Sequence, residues 1–589
     1  MASTAGMARR QAVAALEAAS VALEILDDPG FRKSVWRNAA RALADFPGDF
    51  DDLLARRRLT DIPGIGKSLA ALIEAIAANG SHPELDEVLA KLPPGLLELL
   101  KIDGIGPKKL QQLWMLHGIA SWADLKTAID TGRLGSFKGF GAKTAEKIHI
   151  SMLFLDEQRG KRLITDARGL AASLTEALAA VDATLEVQAA GQLARACEVV
   201  DALELRVIGE EVEGLAEEVL GAIDPKGEVQ FEDTQLRFQI DHTPVRIDLI
   251  ERSRLSQSAG AGSIVHRVLQ DSAPEHRAEL RRRATAQGLA LAADALQDTA
   301  GRALALHDAA EFYSRLGLPF IPPALREGRH EFALADGPGI PPAFAFTDVV
   351  GCVHNHTTES DGRHSLEQMV AAARALGLRY FGVADHSQSA RYANGLLPNR
   401  LLEQTENIDG LNRRLAGEGA DFRVLKGVES DILEDGALDY EDWVFERLDY
   451  VVASVHSRFN LDAAAQTKRI VRAIEHPATR ILGHMTGRLL LTRPGYPLDR
   501  RAIFAAAAEH GVAIEFNCHP QRLDVDWRYM QEIKASGAKV IISADAHSTQ
   551  DLEYLKLGAE LINKGGLEKG DILNTRSAEE LLAGWGRTA

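Results

Sequence analysis

The chain is poor in cysteine: Cys197, Cys352 and Cys518 are the only three in 589 residues. They are odd in number and far apart, and they match neither a disulfide framework nor the paired spacing of a zinc site, which suits a reducing cytoplasm. Long hydrophobic runs are missing as well, since no stretch approaches the roughly 18 apolar residues that a membrane span requires. Near the start, Arg9 and Arg10 precede apolar residues, but Glu17 and Glu24 interrupt the run, so it reads as an amphipathic helix and not a signal peptide. Nor is positive charge in surplus. A formal net charge of −17 argues against indiscriminate coating of nucleic acid, although a global sum says little about a local binding face. Residues 1–160 carry about 20 basic and about 20 acidic side chains, so the acidic excess lies further on.

The composition, 46% hydrophobic and 26% charged, is that of an ordinary globular protein. The length exceeds what one core usually supports and predicts about four domains. Residues 1–155 show apolar spacing of helical period, with Gly and Pro at short connections and no strand pattern. Short β-type runs then appear at 184–188, 205–208 and 245–250, mixed with helical stretches, as expected of an α+β unit. Residues 326–347 turn rich in Gly and Pro and read as a linker. Beyond it, apolar runs at 379–383, 422–425, 450–455, 512–516 and 540–543 alternate with helical segments, which predicts a barrel-like α/β domain with functional groups at strand ends.

Two sets of residues carry chemistry. The first is a threefold glycine pattern: Ile62-Pro-Gly-Ile-Gly-Lys67, Ile102-Asp-Gly-Ile-Gly-Pro107 and Phe137-Lys-Gly-Phe-Gly-Ala142. Glycine permits a tight turn between two helices, and the N–H groups opening the second helix can meet a phosphate without reading a base. A single copy is more often a packing turn. Three copies, with Lys67, Lys108, Lys109 and Lys143 beside them, resemble helix-hairpin-helix DNA-binding motifs, and the resemblance makes Gly64, Gly66, Gly104, Gly106, Gly139 and Gly141 candidate contacts with DNA.

The second set begins at His354-Asn-His356 and continues through Asp361, His386, Glu429, His456, His484, Asp545 and His547, each where a strand should stop. A lone histidine is usually an ordinary surface or core residue. Imidazole with carboxylate is the donor set that borderline cations favour, and clustered cations acidify water and neutralise phosphate charge. This pattern resembles the polymerase and histidinol phosphatase (PHP) superfamily. The resemblance implies a distorted (β/α)7 barrel, hydrolysis of phosphate esters, and two to three divalent ions: one on His354, His356, Glu429 and Asp545, which also carry catalysis, a second shared by Glu429 with His456 and His484, and a third on Asp361, His386 and His547. Mn, Zn and Fe all suit such ligands.

The order of modules resembles the bacterial family X DNA polymerases along practically the whole chain. That implies helical DNA-binding regions at 1–90 and 91–158, a palm at 159–255, a thumb at 256–335, a linker at 336–346 and the PHP domain at 347–589. It also implies DNA as partner, at gaps, abasic sites or 3' ends, a cytoplasmic location with at least transient association with the nucleoid, and a DNA-repair 3'-5' exonuclease, with abasic-site cleavage and 3'-phosphatase activity found in some members of the family. The nucleotide-transfer site departs from the pattern. Ala202 stands where the first of two alternating Asp residues is expected, with Glu204 at the second position and Asp248 at the third. Asp201 could replace the first only if the register slipped, because adjacent strand residues point to opposite faces. Gln192 replaces a serine expected near the triphosphate, and Ala259-Gly-Ala-Gly-Ser263 lacks both aromatics of the sugar gate. A Schiff-base lysine of animal relatives falls on Leu72. These departures predict a degenerate polymerase. An active gap-filling polymerase, and a small phosphate-ester hydrolase on a non-catalytic scaffold, are the competing readings.

Overall fold

A computed structural model describes residues 7–46, 50–210, 214–223, 225 and 227–586, and the chain divides into two compact units at Arg159 and Gly160. No described helix is long and apolar enough to cross a membrane.

The first unit is helical. Its opening helix, Met7–Ile25, buries Ala12, Leu16, Ala19 and Leu23, a spacing of three to four residues that lines one face. One hydrophobic core runs through the unit from Leu16 to Ile73, Leu99, Leu113 and Phe140, and Val88, Leu92 and Leu96 belong to it too, so the core is continuous across position 90. The three glycine motifs fold alike. Each is a short 3-10 turn (Leu59–Asp61, Leu96–Lys101, Leu134–Ser136), then a glycine pair, then a helix (Lys67–Asn79, Pro107–His117, Ala142–Gln158).

The second unit opens with the helix Ile164–Val181 against a five-stranded sheet: β1 (Glu186–Ala189), β2 (Leu203–Gly209), β3 (Gln230–Glu232), β4 (Gln235–Ile240) and β5 (Thr243–Glu251), in the order β1-β2-β5-β4-β3. β2 and β5 run parallel, with Glu204 opposite Arg246 and Arg206 opposite Asp248. Helices Ile264–Gln270, Pro274–Ala286 and Ala309–Arg315 follow, around a small core of Leu280, Phe312 and Leu316.

The rest of this unit is a parallel barrel. Its strands are β6 (Gly351–Asn355), β7 (Tyr380–Val383), β8 (Arg423–Leu425), β9 (Gly427–Asp431), β10 (Tyr450–Ser454), β11 (Thr479–Leu482), β12 (Ala513–Asn517) and β13 (Val540–Ala546). They are ordered β8-β7-β6-β13-β12-β11-β10-β9. The two end strands, β8 and β9, are one stretch of chain interrupted only at Lys426, so they close a ring of seven staves, as expected of a distorted (β/α)7 barrel. These strands are buried on both faces, which is why they read as unbroken apolar runs.

The Gly- and Pro-rich segment after residue 336 is tied to the barrel. Phe344 is buried, its N–H donates to Asn563 Oδ1 at 2.7 Å, and its carbonyl accepts from Asn563 Nδ2 at 2.9 Å. The five-stranded sheet and the barrel share one hydrophobic core, which includes Leu203, Leu205, Ile247, Phe381 and Val451. Buried charge fixes the joint. The Lys564 ammonium, fully buried, donates to the carboxylate of Glu327 and to the carbonyl of Arg195 at 2.9 Å, and sits 4.5 Å from the ring centre of Trp527. Arg195 reaches the same Glu327 carboxylate at 3.0 Å, and Glu198 accepts from Trp527 Nε1 at 2.9 Å and from Arg528.

Candidate metal centre

All nine residues of the His/Asp/Glu pattern converge at one mouth of the barrel, where the C-terminal ends of the strands open. Glu429, on β9, lies at the middle. Its Oε1 is 3.2 Å from His354 Nε2, 3.2 Å from His456 Nε2 and 2.9 Å from His484 Nε2, and its Oε2 is 2.9 Å from His386 Nδ1. His356 Nε2 meets Asp545 Oδ1 at 3.1 Å, and Asp361 reaches His547 at 3.4 Å and His386 at 3.7 Å. Donor atoms gather in four overlapping groups: His354, His356 and Asp545; His354, Glu429 and His484; His386, Glu429 and His456; and His356, Asp361, His386 and His547.

The backbone is bent to achieve this. β6 carries a register shift at its end, and His354 has φ of 58°, a left-handed conformation that costs a non-glycine residue energy. Asp545, on β13, has φ of 50°. Strain of this kind collects at functional sites because packing around it holds the side chain where chemistry needs it. Gly362 follows Asp361 in a loop so tight that a Cβ there would lie 2.7 Å from the backbone of His356 and Thr357.

The donor set fits metal ions. His354 Nε2, His356 Nδ1, His386 Nδ1, His484 Nδ1 and Glu429 Oε2 are buried and lack an aligned hydrogen-bond partner among the described residues, a costly state for polar atoms unless a cation takes them up. Electrostatics says the same. Burial, helped by His547 and His386, pushes His356 down to about 3 and keeps its ring neutral. Burial also opposes charge on His456 and His547, yet the carboxylates around them win and hold these rings up to about 10 and about 9. His547, with His356 and His386, draws Asp361 down to about 2 against its burial. The cluster therefore attracts positive charge.

Several supporting residues lie outside the sequence pattern. Glu515, fully buried on β12, accepts from His354 Nδ1 at 2.5 Å, from the His484 N–H at 2.5 Å and from the Ser543 hydroxyl. Asp431 meets His456 Nδ1 at 2.5 Å. Asp385 accepts from the Thr357 N–H and hydroxyl, each at 2.7 Å, from Ser360 Oγ and from Gln404, and so shapes the loop that leads to Asp361. Asp545 is held by Asn517 at 3.0 Å and by Arg522 Nε at 3.3 Å. The available signal was a charged residue inside an apolar strand, as in Ala513-Ile-Glu-Phe-Asn517.

In the first unit the glycines divide into two kinds. Gly64, Gly104 and Gly139 have φ of 87°, 94° and 88°, which only glycine adopts at little cost. Gly66, Gly106 and Gly141 have φ of −81°, −98° and −49°, ordinary values, and a Cβ on any of them would meet nothing within 4 Å. Each of these three precedes a helix whose start has no side-chain cap, so the first N–H groups stay open to an anion. Lys67, Lys108 and Lys143 are exposed. Lys109 is engaged locally: its amine donates to the Gly104 carbonyl at 2.9 Å and lies 5.6 Å from the Phe140 ring centre. Leu72 is buried in the core of the unit.

In the five-stranded sheet, Glu204 and Asp248 line one polar cleft of about 530 Å³, whereas Ala202 is buried and brings no carboxylate. Asp201 points elsewhere: its backbone N–H donates to Gln192 Oε1 at 2.7 Å, and its carboxylate accepts from the Gln192 amide at 2.8 Å. The two carboxylates of the cleft are already partnered. Arg246 meets Glu204 at 3.0 Å, while Asp248 accepts from Gln235 at 2.6 Å and from Gln270.

A barrel mouth built of imidazoles and carboxylates, on a chain that also carries helix-hairpin-helix units, defines a metal-dependent hydrolase with DNA-binding modules. Comparisons with known proteins agree. Models of a helix-hairpin-helix domain, a SAM-like helix-hairpin-helix tandem and the DNA polymerase beta thumb match residues 7–82, 96–151 and 273–327. The DNA polymerase/3'-5' exonuclease PolX of Bacillus subtilis is 30% identical over 586 residues, covering 98% of this chain and 99% of that protein. Probable phosphatases of Thermoanaerobacter sp. and Vibrio atlanticus are 28% and 29% identical over 234 and 241 residues, 38% and 39% of this chain and 89% and 90% of theirs. The chain belongs to the bacterial family X DNA polymerases that carry a C-terminal PHP domain.

Proposed function

We propose that this protein is a DNA-repair phosphoesterase whose barrel removes nucleotides from DNA 3' ends, with abasic-site cleavage and 3'-phosphate removal drawing on the same cluster, and whose palm no longer polymerises. The observation that carries the reading is the convergence of nine imidazole and carboxylate groups around Glu429, itself one of them, with buried ring nitrogens that lack an aligned hydrogen bond. On this reading His354, His356, Glu429 and Asp545 hold one ion, His456 and His484 hold a second with Glu429, and Asp361, His386 and His547 hold a third, with Mn and Zn foremost and Fe also suited. Bound there, divalent ions supply Lewis acidity and neutralise phosphate charge. The chain's own part is orientation. Glu515 and Asp431 fix the rings of His354 and His456, and Arg522 holds a guanidinium beside Asp545 at the edge of the site, where a phosphate oxygen would meet it. The glycine turns with Lys67, Lys108 and Lys143 hold the DNA backbone, in a cytoplasmic protein working near the nucleoid.

Loss of polymerisation is supported by two features: the missing carboxylate at Ala202, and the amides and Arg246 that occupy Asp248 and Glu204. Nucleotide transfer needs carboxylates free to clamp metal ions.

The test incubates 5'-labelled single-stranded, gapped, abasic and 3'-phosphate DNA with Mn. Wild type shortens or dephosphorylates these strands, whereas His354→Ala and Glu429→Ala lose at least about a hundredfold in rate. Equal cleavage by all three proteins sinks the assignment of the site. Primer extension across a gap, with Mg or Mn, checks the palm. A product longer than the primer overturns the claim that polymerisation is lost.

A further inference from the structure

Tyr392 is an exposed aromatic on a rigid loop beside the metal centre. Its side chain is 73% exposed, among the most exposed large apolar residues of the second unit, and its ring centre lies 6.1 Å from that of His386. A surface aromatic on a loose loop would call for no explanation. This loop, however, is fastened at many points. The short 3-10 turn Arg391–Ala393 is anchored by Ala390 just before it and by its own last residue, Ala393, each 1% exposed. Leu396 N–H donates to the His386 carbonyl at 2.8 Å, and the Tyr440 hydroxyl donates to the Leu396 carbonyl at 2.5 Å. Gly395 lies so close to Ser387 that a Cβ would stand 1.9 Å from its carbonyl oxygen. Asn394 donates to the Glu359 carbonyl at 2.9 Å, which ties the loop to the one that carries Asp361.

We infer that Tyr392 is a stacking platform for the base of the nucleotide whose phosphate occupies the metal centre, so that it selects nucleic-acid strands over small phosphate esters. The inference rests on the reading of the barrel as a DNA 3'-end hydrolase. An aromatic on a backbone held in place before binding offers a base its face with no loop left to order, and stacking is tolerant of base identity. Arg391, exposed next to it, places positive charge where the neighbouring backbone phosphate would run. Phosphate and ion contacts alone would bind a strand with and without its terminal base equally. The platform adds recognition of the base itself.

The experiment compares wild type with Tyr392→Ala, Tyr392→Phe and Tyr392→Trp on two Mn-loaded reactions: a single strand with an ordinary 3' nucleotide, and the same strand whose last residue is a tetrahydrofuran lacking the base. The readout is the ratio of kcat/KM between the two strands. Stacking of a base on an aromatic ring corresponds to a preference of about tenfold or more for the strand that has the base. The ratio should fall towards unity in Tyr392→Ala and persist in the Phe and Trp variants. Binding of a strand ending in 2-aminopurine, followed without turnover, should quench its fluorescence in wild type and not in Tyr392→Ala. An unchanged ratio and unchanged quenching in Tyr392→Ala overturn the platform while wild-type cleavage upholds the hydrolase. If wild type cleaves neither strand yet hydrolyses p-nitrophenyl phosphate, the DNA reading falls and the platform falls with it.

Discussion

Glu515 is a charged residue in the middle of an apolar strand, and its position explains much of how the centre is held. Its carboxylate takes four bonds at once, one from His354, and thereby fixes which nitrogen of that ring faces Glu429. Partners of this kind typically change metal affinity or activity by roughly 10- to 100-fold. Glu515→Gln should weaken metal binding about tenfold, measured by competition with a chelator, because the amide keeps the shape and gives up the charge. Protons report on the same groups. Against the effect of burial, Glu429 and Asp431 hold His456 up to about 10, and Asp361 and Asp545 hold His547 up to about 9, both above the ordinary 6.5. A raised value stabilises the metal-free fold below pH 6.5, and that contribution disappears as pH climbs through 9 and 10. The chelated protein should therefore lose thermal stability across that window. Metal ligands must be deprotonated, so metal binding should release protons near pH 7 to 8 and tighten as pH rises. Calorimetry in buffers of different ionisation enthalpy measures the release, and a heat independent of the buffer contradicts it.

At the scale of elements, the glycine turns offer a clean contrast. Gly64→Ala forces a side chain into φ of 87° and should cost about 1 kcal/mol in unfolding experiments. Gly66→Glu finds open space and an allowed backbone, so the fold should hold. Its carboxylate would stand at the uncapped start of the helix and repel a phosphate, and binding of gapped DNA should weaken and lose part of its salt dependence. Unaltered binding would remove this turn from the DNA face. Element placement was legible in the sequence wherever period and punctuation agreed: the apolar runs at 450–455 and 540–543 lie on β10 and β13, and the strand-end histidines meet. What stayed hidden depends on non-local packing. The left-handed turn at His354, the bond from Glu515 and the capture of Asp248 by Gln235 and Gln270 are set by neighbours 13 or more residues away, and no local pattern announces them. The Gly- and Pro-rich stretch after residue 336 has a linker's composition, but Asn563 pins it to the barrel.

The whole second unit turns on the joint between sheet and barrel. Lys564 is a charge with no access to water, compensated by Glu327 and the Arg195 carbonyl. Removing one member of a buried ionic group leaves the others uncompensated, at a cost of about 3 kcal/mol. Lys564→Met should lower the unfolding free energy by about that amount in denaturant titrations while the folded protein keeps its metal stoichiometry. A change under about 0.5 kcal/mol would show that the joint is held by apolar contact alone.

The same joint bears on inheritance. With Trp527 and Lys564 roofed by residues of the palm and thumb, the hydrolase cannot be cut free without laying a large ring and a desolvated charge open to water. A gene shortened to residues 347–589 would then encode a sticky, poorly folded fragment.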